Sequence, residues 1–316
     1  MILDDTLKQE DVSESTSDRP PYPRTPTAVV VLISGGIDSV ASAIWARKQW
    51  PDIPITLLHN YLTLDWPQTP KVIEETQAAI GNATCVTIQA VYRLTGDPTP
   101  TGANGTTLVR LHNVDADGPA VAADQGEITD LLDFMRQARN GMPPTSKIRY
   151  CTDYWKRRPT DVWLQQHRED LGKNAVLLSG ERHAESPGRS RLPAYTWERC
   201  ALKGDRRRAS WHILWARPLI DWKLHEVTQL VVQANGPVHP GYAIQGETLE
   251  RMLDPERDER GRARLSCRVC IFSADRHIAT ACKNAPDVMT PVVDTIRQEE
   301  QRSGYTWRQS GPLPSF

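Results

Sequence analysis

The sequence predicts an α/β fold in which a doubly wound, mostly parallel sheet carries helices on both faces. Three observations predict it. Short β-branched apolar runs, suited to strands buried on both faces, recur along the chain. Most are followed by a stretch with apolar residues at helical spacing. A serine- and glycine-rich turn joins the first such strand to the first such helix.

Residues 1–27 hold four prolines and few large apolar side chains, so they cannot bury enough surface to offset ordering and are expected to form a flexible tail. Order starts at residues 28–33, an apolar strand, and Ser34 to Ser39 turn the chain into a helix with Val40, Ala41, Ile44 and Trp45 on one face. Residues 55–58 read as the next strand. Residues 70–80 read as a helix placing Val72, Ile73, Thr76 and Ile80 on one side, and 85–91 as a third strand. Residues 94–125, rich in Gly, Pro, Asn and Asp, are too long for an ordinary connection and read as an inserted excursion or lid. A helix carrying Ile128, Leu131, Leu132 and Met135 follows, then a helix at 160–166, a buried strand at 175–179 and a strand near 212–216. A helix at 223–234, a second polar insertion at 247–264, and helices at 275–283 and 288–302 complete the chain, with residues 311–316 a loose end. The expected organisation is a tail (1–27), an α/β domain (28–245) with the 94–125 insertion, and a region (246–316) of insertion, cysteine pair and terminal helices.

In all, 316 residues carry 38 Lys plus Arg against 39 Asp plus Glu, a formal charge of −1, which excludes a basic coat for non-specific nucleic-acid binding. The average hides a patch: between Thr145 and Arg217 the count is 16 Lys plus Arg against 8 Asp plus Glu. No run approaches the ~18 apolar residues of a membrane span, and the acidic N-terminus lacks the character of a secretory signal, so the expected location is cytoplasmic, with no membrane partner. Six cysteines, at 85, 151, 200, 267, 270 and 282, are too sparse for a disulfide scaffold. Cys267 and Cys270, three positions apart, can hold a metal or cluster, cycle as a redox pair, or lie buried as structural thiols.

At a strand-to-helix turn, backbone N–H groups and the helix dipole stabilise a phosphate, and glycine lets the backbone approach it. Gly35 and Gly36 meet that need, Ser34 and Ser39 add hydroxyls, and Asp38 suits a magnesium ion or a cap at the helix start. The string from Ser34 through Gly35, Gly36, Ile37 and Asp38 to Ser39 resembles the PP-loop of the N-type ATP pyrophosphatases, and no Walker motif is present. Ile37 stands where several members of that superfamily have lysine. Further segments resemble the phosphoadenosine phosphosulfate (PAPS) reductase family. They are Arg149-Tyr150-Cys151-Thr152 with Lys156, Arg157 and Pro159; Gly180, Arg182, Glu185, Ser186 and Arg189; residues 65–69; residues 218–222; and residues 237–242, which include His239.

The resemblance implies that residues 34–39 bind the phosphates of ATP with Mg²⁺, Asp38 helping to hold the ion. It implies that Lys156, Arg157, Gly180, Arg182, Glu185, Arg189 and His239 line the nucleotide site. Arginine forks suit phosphate; Glu185 is expected to orient an arginine, and Asp65 to touch the nucleotide or cap a turn. Arg206, Arg207 and Arg208 read as solvated surface, Trp66, Trp155 and Trp222 as core, and Cys85 and Cys200 as structural. Cys151 and Cys282 are the expected third and fourth ligands beside Cys267 and Cys270 for an iron–sulfur cluster, with zinc as the alternative.

Reductases of the family use a cysteine near the C-terminus, and none follows Cys282 here. The leading expectation is therefore an ATP pyrophosphatase-type sulfurtransferase that adenylylates an acceptor, most plausibly nucleic acid. Sulfur would pass through Cys151, Cys267 and Cys270, with a cysteine desulfurase as donor, as in the PAPS-reductase-like proteins of DNA phosphorothioation systems. A sulfonucleotide reductase and a non-catalytic nucleotide-binding assembly subunit are the alternatives.

Overall fold

The computed structural model describes residues 25–98, 104–115, 117, 120–121, 126–198, 213–259, 262–265, 267–308 and 311. Val29 to Val31 are each fully buried, as a central strand requires, and burying such a side chain contributes about 1.5–3 kcal/mol. The chain runs β1 (Val29–Leu32), α1 (Ile37–Gln49), β2 (Ile55–Asn60), α2 (Thr69–Ile80), β3 (Ala83–Pro98), β4 (Asn104–Asn113), β5 (Glu127–Ile128) and α3 (Leu131–Ala138). Next come α4 (Tyr150–Thr152), a π-helical turn (Asp153–Arg157), α5 (Arg158–Gln166), α6 (Arg168–Leu171), β6 (Val176–Leu178), β7 (Tyr195–Glu198) and β8 (Ile213–Ala216). The remainder is helical: α7 (Leu224–Gln233), α8 (Gly241–Ile244), α9 (Leu249–Leu253), α10 (Asp275–Asn284) and α11 (Pro286–Ser303).

The strands form one sheet in the order β4-β3-β2-β1-β6-β8-β7, with β5 also paired to β3. Five of them, β3-β2-β1-β6-β8, are mutually parallel, and the partners at the two edges are antiparallel. Val29 and Val31 pack with α1, α2 and α7, whereas Val30 packs with Trp163 and Leu164 of α5, so helices cover both faces as expected. A third core joins Leu62, Tyr92, Phe134 and Trp155 to Val269, Ile278, Met289 and Trp307, and packing continues across position 245. Trp66 and Trp155 are buried, as read from sequence. Among the described residues no helix is long and apolar enough to cross a membrane.

Two elements differ from expectation. Most of the described part of the supposed excursion is sheet: β3 runs on to Pro98 and pairs antiparallel with β4. Thr106, Thr107 and Val109 are β-branched strand formers beside Leu108 and Leu111, a signal obscured by the glycines and asparagines around it. Ile128 lies in β5, not in the following helix, because Asp130 ends the extended run and caps α3 with its side chain, accepting from the N–H groups of Leu132 and Asp133. The expectations for residues 1–24, for 99–103, 116, 118–119 and 122–125 of the excursion, for Cys200, for Arg206 to Arg208 and for residues 312–316 fall outside the described residues.

The chain leaves β1 toward β2 and β3 on one side and later fills β6 and β8 on the other. The C-terminal ends of β1 and β6 therefore flank a topological switch point, where open α/β sheets leave a crevice.

Candidate functional site

The turn from Ser34 to Ser39 lies at that crevice. Gly35 has φ +75°, a left-handed conformation natural to glycine. Ser39 Oγ donates to the Gly36 carbonyl at 2.8 Å and accepts from the Ser34 N–H at 3.2 Å, bracing the loop from within. Ser34 itself is exposed. Across the switch point, Gly180 presses on the same turn: a Cβ there would lie 2.4 Å from the Asp38 carbonyl oxygen, so only glycine allows β6 to end so close to α1.

Asp38 faces arginines. Arg182 Nε donates to its Oδ1 at 2.6 Å, and Arg262 Nη2 stands 3.9 Å from Oδ2. Burial would raise the Asp38 carboxyl, yet Arg182 and Arg262 hold it below the usual carboxylate range. Both oxygens thus face guanidinium groups, which does not suit the magnesium role expected from sequence. Arg182 is fully buried, and its Nη1 donates to Glu259 at 2.9 Å and to the Trp222 carbonyl at 3.1 Å. Glu185 accepts from the Arg182 backbone N–H at 3.0 Å and from the Arg189 guanidinium. Arg189 is half-buried.

His239 was expected to line the nucleotide site. It is 1% exposed, and a Cβ added at Gly35 would meet its ring at 3.1 Å, so it supports the loop from beneath. Tyr242 acts on the same loop: its hydroxyl oxygen accepts the Ile37 N–H at 3.1 Å.

A second cluster stands at the end of β2. The N–H of Arg268 donates to the Leu64 carbonyl at 2.9 Å, and its guanidinium to the Thr63 carbonyl at 2.8 Å, zipping the Cys267–Cys270 loop onto the segment after β2. Cys267 Sγ lies 4.0 Å from Asp65 Oδ1. Asp65 accepts from the Leu62 N–H at 3.2 Å and stands 3.5 Å from His59 Nε2. His59 Nδ1 meets the Ile33 carbonyl at 3.0 Å, and since a carbonyl only accepts, Nδ1 carries a proton. A polar chain therefore runs from the base of the glycine turn through His59 and Asp65 to Cys267. Burial pushes the Asp65 carboxyl above the usual range, against the pull of His59 and Lys156.

Lys156, carried on the π-helical turn, is exposed. Protein atoms around the ammonium displace water and work against its charge, although the residue as a whole is exposed, but Cys267, Asp65, Cys270 and Cys151 together hold it above its ordinary value. Burial raises the Cys267 and Cys151 thiols, and Lys156 opposes the rise in both. Arg157 points its charge to solvent beside this cluster. Cys282, on α10, is raised by burial and feels Arg297, with no influence from the other cysteines.

The structure thus gathers Cys151, Cys267 and Cys270 around a lysine and leaves Cys282 outside. Among the described residues no three His, Cys, Asp or Glu side chains are grouped to hold a metal ion. The cysteines as placed do not fit the iron–sulfur cluster or zinc expected from sequence: a cationic ammonium shares their space and the fourth ligand lies apart. His59, Glu259, Arg262 and Arg264 escaped sequence reasoning. His59 sits inside a strand with no motif around it, and the other three lie in the polar insertion, whose like-sized charges gave no sign of which would turn inward.

No protein-family model matches the chain, and no curated protein matches it. Among solved structures it is similar to the phosphoadenylyl-sulfate (PAPS) reductase from Candida auris in its phosphate complex. The two share 14% identity over 70% of this chain and 77% of that chain, with a TM-score of 0.36.

Proposed function

We propose that the chain binds ATP in the switch-point crevice, adenylylates an acceptor, most plausibly nucleic acid, and transfers sulfur to the activated atom from the neighbouring cysteines. The observation that supports this reading is the polar chain Ile33–His59–Asp65–Cys267, which joins the phosphate-type turn to the thiol cluster along one sheet edge. In the first step an acceptor oxygen attacks the α-phosphorus. A P–O bond forms, the bond to the β-phosphate bridge breaks, and pyrophosphate leaves toward the loop amides and the positive end of α1.

In the second step the outer sulfur of a persulfide, loaded on one cysteine by a desulfurase-type donor, attacks the activated atom and AMP departs. A second thiol of the trio then attacks the first cysteine's sulfur. The thiolated product is released, and the two cysteines are left as a disulfide that a dithiol reductant resets. Lys156, which lowers the Cys267 thiol against burial, is placed to stabilise a thiolate formed in this exchange.

The same trio favours a second reading, a sulfonucleotide reductase. One thiolate would take the sulfonate and release the nucleotide; a second would attack that cysteine's sulfur, releasing sulfite and leaving a disulfide. The readings part on products. With α-labelled ATP and Mg²⁺, AMP and pyrophosphate are expected from the wild type and not from Gly35→Val, whose side chain opposes φ +75°. ADP as the sole product overturns the first reading, and sulfite released from a sulfonucleotide establishes the second. Nucleotide binding with neither product would leave a binding subunit.

A further inference from the structure

Arg182, Arg262 and Arg264 converge on the first turn of α1, and the carboxylates around them do not satisfy every donor. Among the described residues, Arg182 Nη2 is buried without a hydrogen-bond partner. The Arg262 side chain is 2% exposed, its Nε is buried and likewise unpartnered, and Asp38, Glu185 and Glu259 stand 3.8–3.9 Å from it. The half-buried Arg264 guanidinium makes no hydrogen bond or ion pair among the described residues. Burial lowers its basicity, Glu185 opposes this, and Arg262 and Arg189 add like-charge repulsion. Buried guanidinium N–H groups left unpaired are costly, and an anion with more oxygens than a carboxylate would relieve all three at once.

One carboxylate already sits where such an anion would. Glu259 Oε1 accepts from the N–H of Leu224, the first residue of the ten-residue helix α7, at 2.6 Å, and Oε2 accepts from Arg182 at 2.9 Å. A helix N-terminus beside a buried arginine holds phosphate by the same forces. Next to Glu259 lies a cavity of about 20 Å³ lined by Lys223, His225, Arg251 and Asp254, with Arg257 already paired to Glu247, into which the carboxylate can swing.

We propose that Arg182, Arg262, Arg264 and the N-terminus of α7 form a seat for a tetrahedral oxyanion, phosphate or sulfate. Glu259 is its internal stand-in, displaced when the anion binds. Glu259, Arg262 and Arg264 complete the seat, which stands whether or not the chain turns ATP over. Its ligand can be a free ion or the phosphate of a nucleotide.

Calorimetric titration of the full chain with inorganic phosphate, and separately with ATP, tests this. Glu259→Gln keeps an acceptor for the Leu224 N–H but loses the competing charge, so it is expected to tighten binding about 10-fold. Arg264→Gln, at a half-buried position, is expected to weaken binding about 10-fold with its melting temperature shifted by no more than about 2 °C. Both effects with phosphate mark a seat for the free ion; both effects with ATP alone mark a seat for a nucleotide phosphate. The proposal is overturned if Arg264→Gln leaves the affinity for both probes unchanged, or if neither probe binds to wild type or Glu259→Gln. Should Glu259→Gln fail to fold, Arg264→Gln decides alone. Phosphate binding that obeys both variants, in a protein that does not bind ATP, keeps the seat and overturns the function proposed above.

Discussion

Gly241 donates its N–H to His239 Nδ1 at 2.9 Å, which places the ring proton on Nε2, 3.2 Å from Thr69 Oγ1. Burial lowers His239 to about 4 from an ordinary 6.5, so the ring is neutral in the folded chain. The unfolded chain binds this proton between pH 6.5 and 4 and the folded chain does not, so the contribution is complete above pH 6.5 and is lost as pH falls toward 4. At about 1.36 kcal/mol per pKa unit, the loss approaches about 3 kcal/mol. Denaturant midpoints for wild type are therefore expected to fall from pH 6.5 to 4.5 more steeply than for His239→Gln; parallel slopes would refute the assignment. The histidine was visible in its motif, but its work beneath Gly35 was not, because a motif records which residue is present and not which side of the loop it occupies.

Helix residues 150–166 read as two short pieces around a π-helical turn, and that turn is an element with a consequence. An extra residue in the turn rotates everything after it by about 100° relative to an uninterrupted α-helix, and π-turns gather at functional sites for this reason. Cys151 and Lys156 thereby face one cluster, although five residues apart they would diverge on a regular helix. Lys156→Met removes the one cation that lowers both the Cys151 and the Cys267 thiol, so alkylation of these cysteines by iodoacetamide at pH 8 is expected to slow several-fold, with Lys156→Arg restoring much of the rate. Unchanged rates in Lys156→Met would remove the lysine from the thiol site. Sequence spacing alone showed Cys151 and Lys156 as one motif. It could not show the π-turn, which depends on how Tyr154 and Trp155 pack against Tyr92 and Phe134.

At the scale of the molecule, the C-terminal residues hold the thiol loop in place. Trp307 is 3% exposed, and its indole N–H donates to the Val269 carbonyl at 2.7 Å, between the two cysteines; Arg268 reaches the Val288 carbonyl at 2.8 Å. Trp307→Ala is expected to cost about 3–5 kcal/mol of stability by denaturant titration and to speed alkylation of Cys267 and Cys270. Stability loss without faster alkylation would mean the loop is held by its own contacts. By itself the sequence determined the alternation of strand and helix, the parallel sheet, the glycine turn and the buried tryptophans. Each follows from local spacing of apolar residues and from the backbone freedom of glycine. Tertiary structure decided which charges meet: Asp38 with Arg182, Glu259 on the end of α7, and three cysteines around Lys156 with Cys282 apart. Coulomb energy and desolvation depend on distances between groups far apart in the chain, and chain order carries no record of those distances until the sheet has set them.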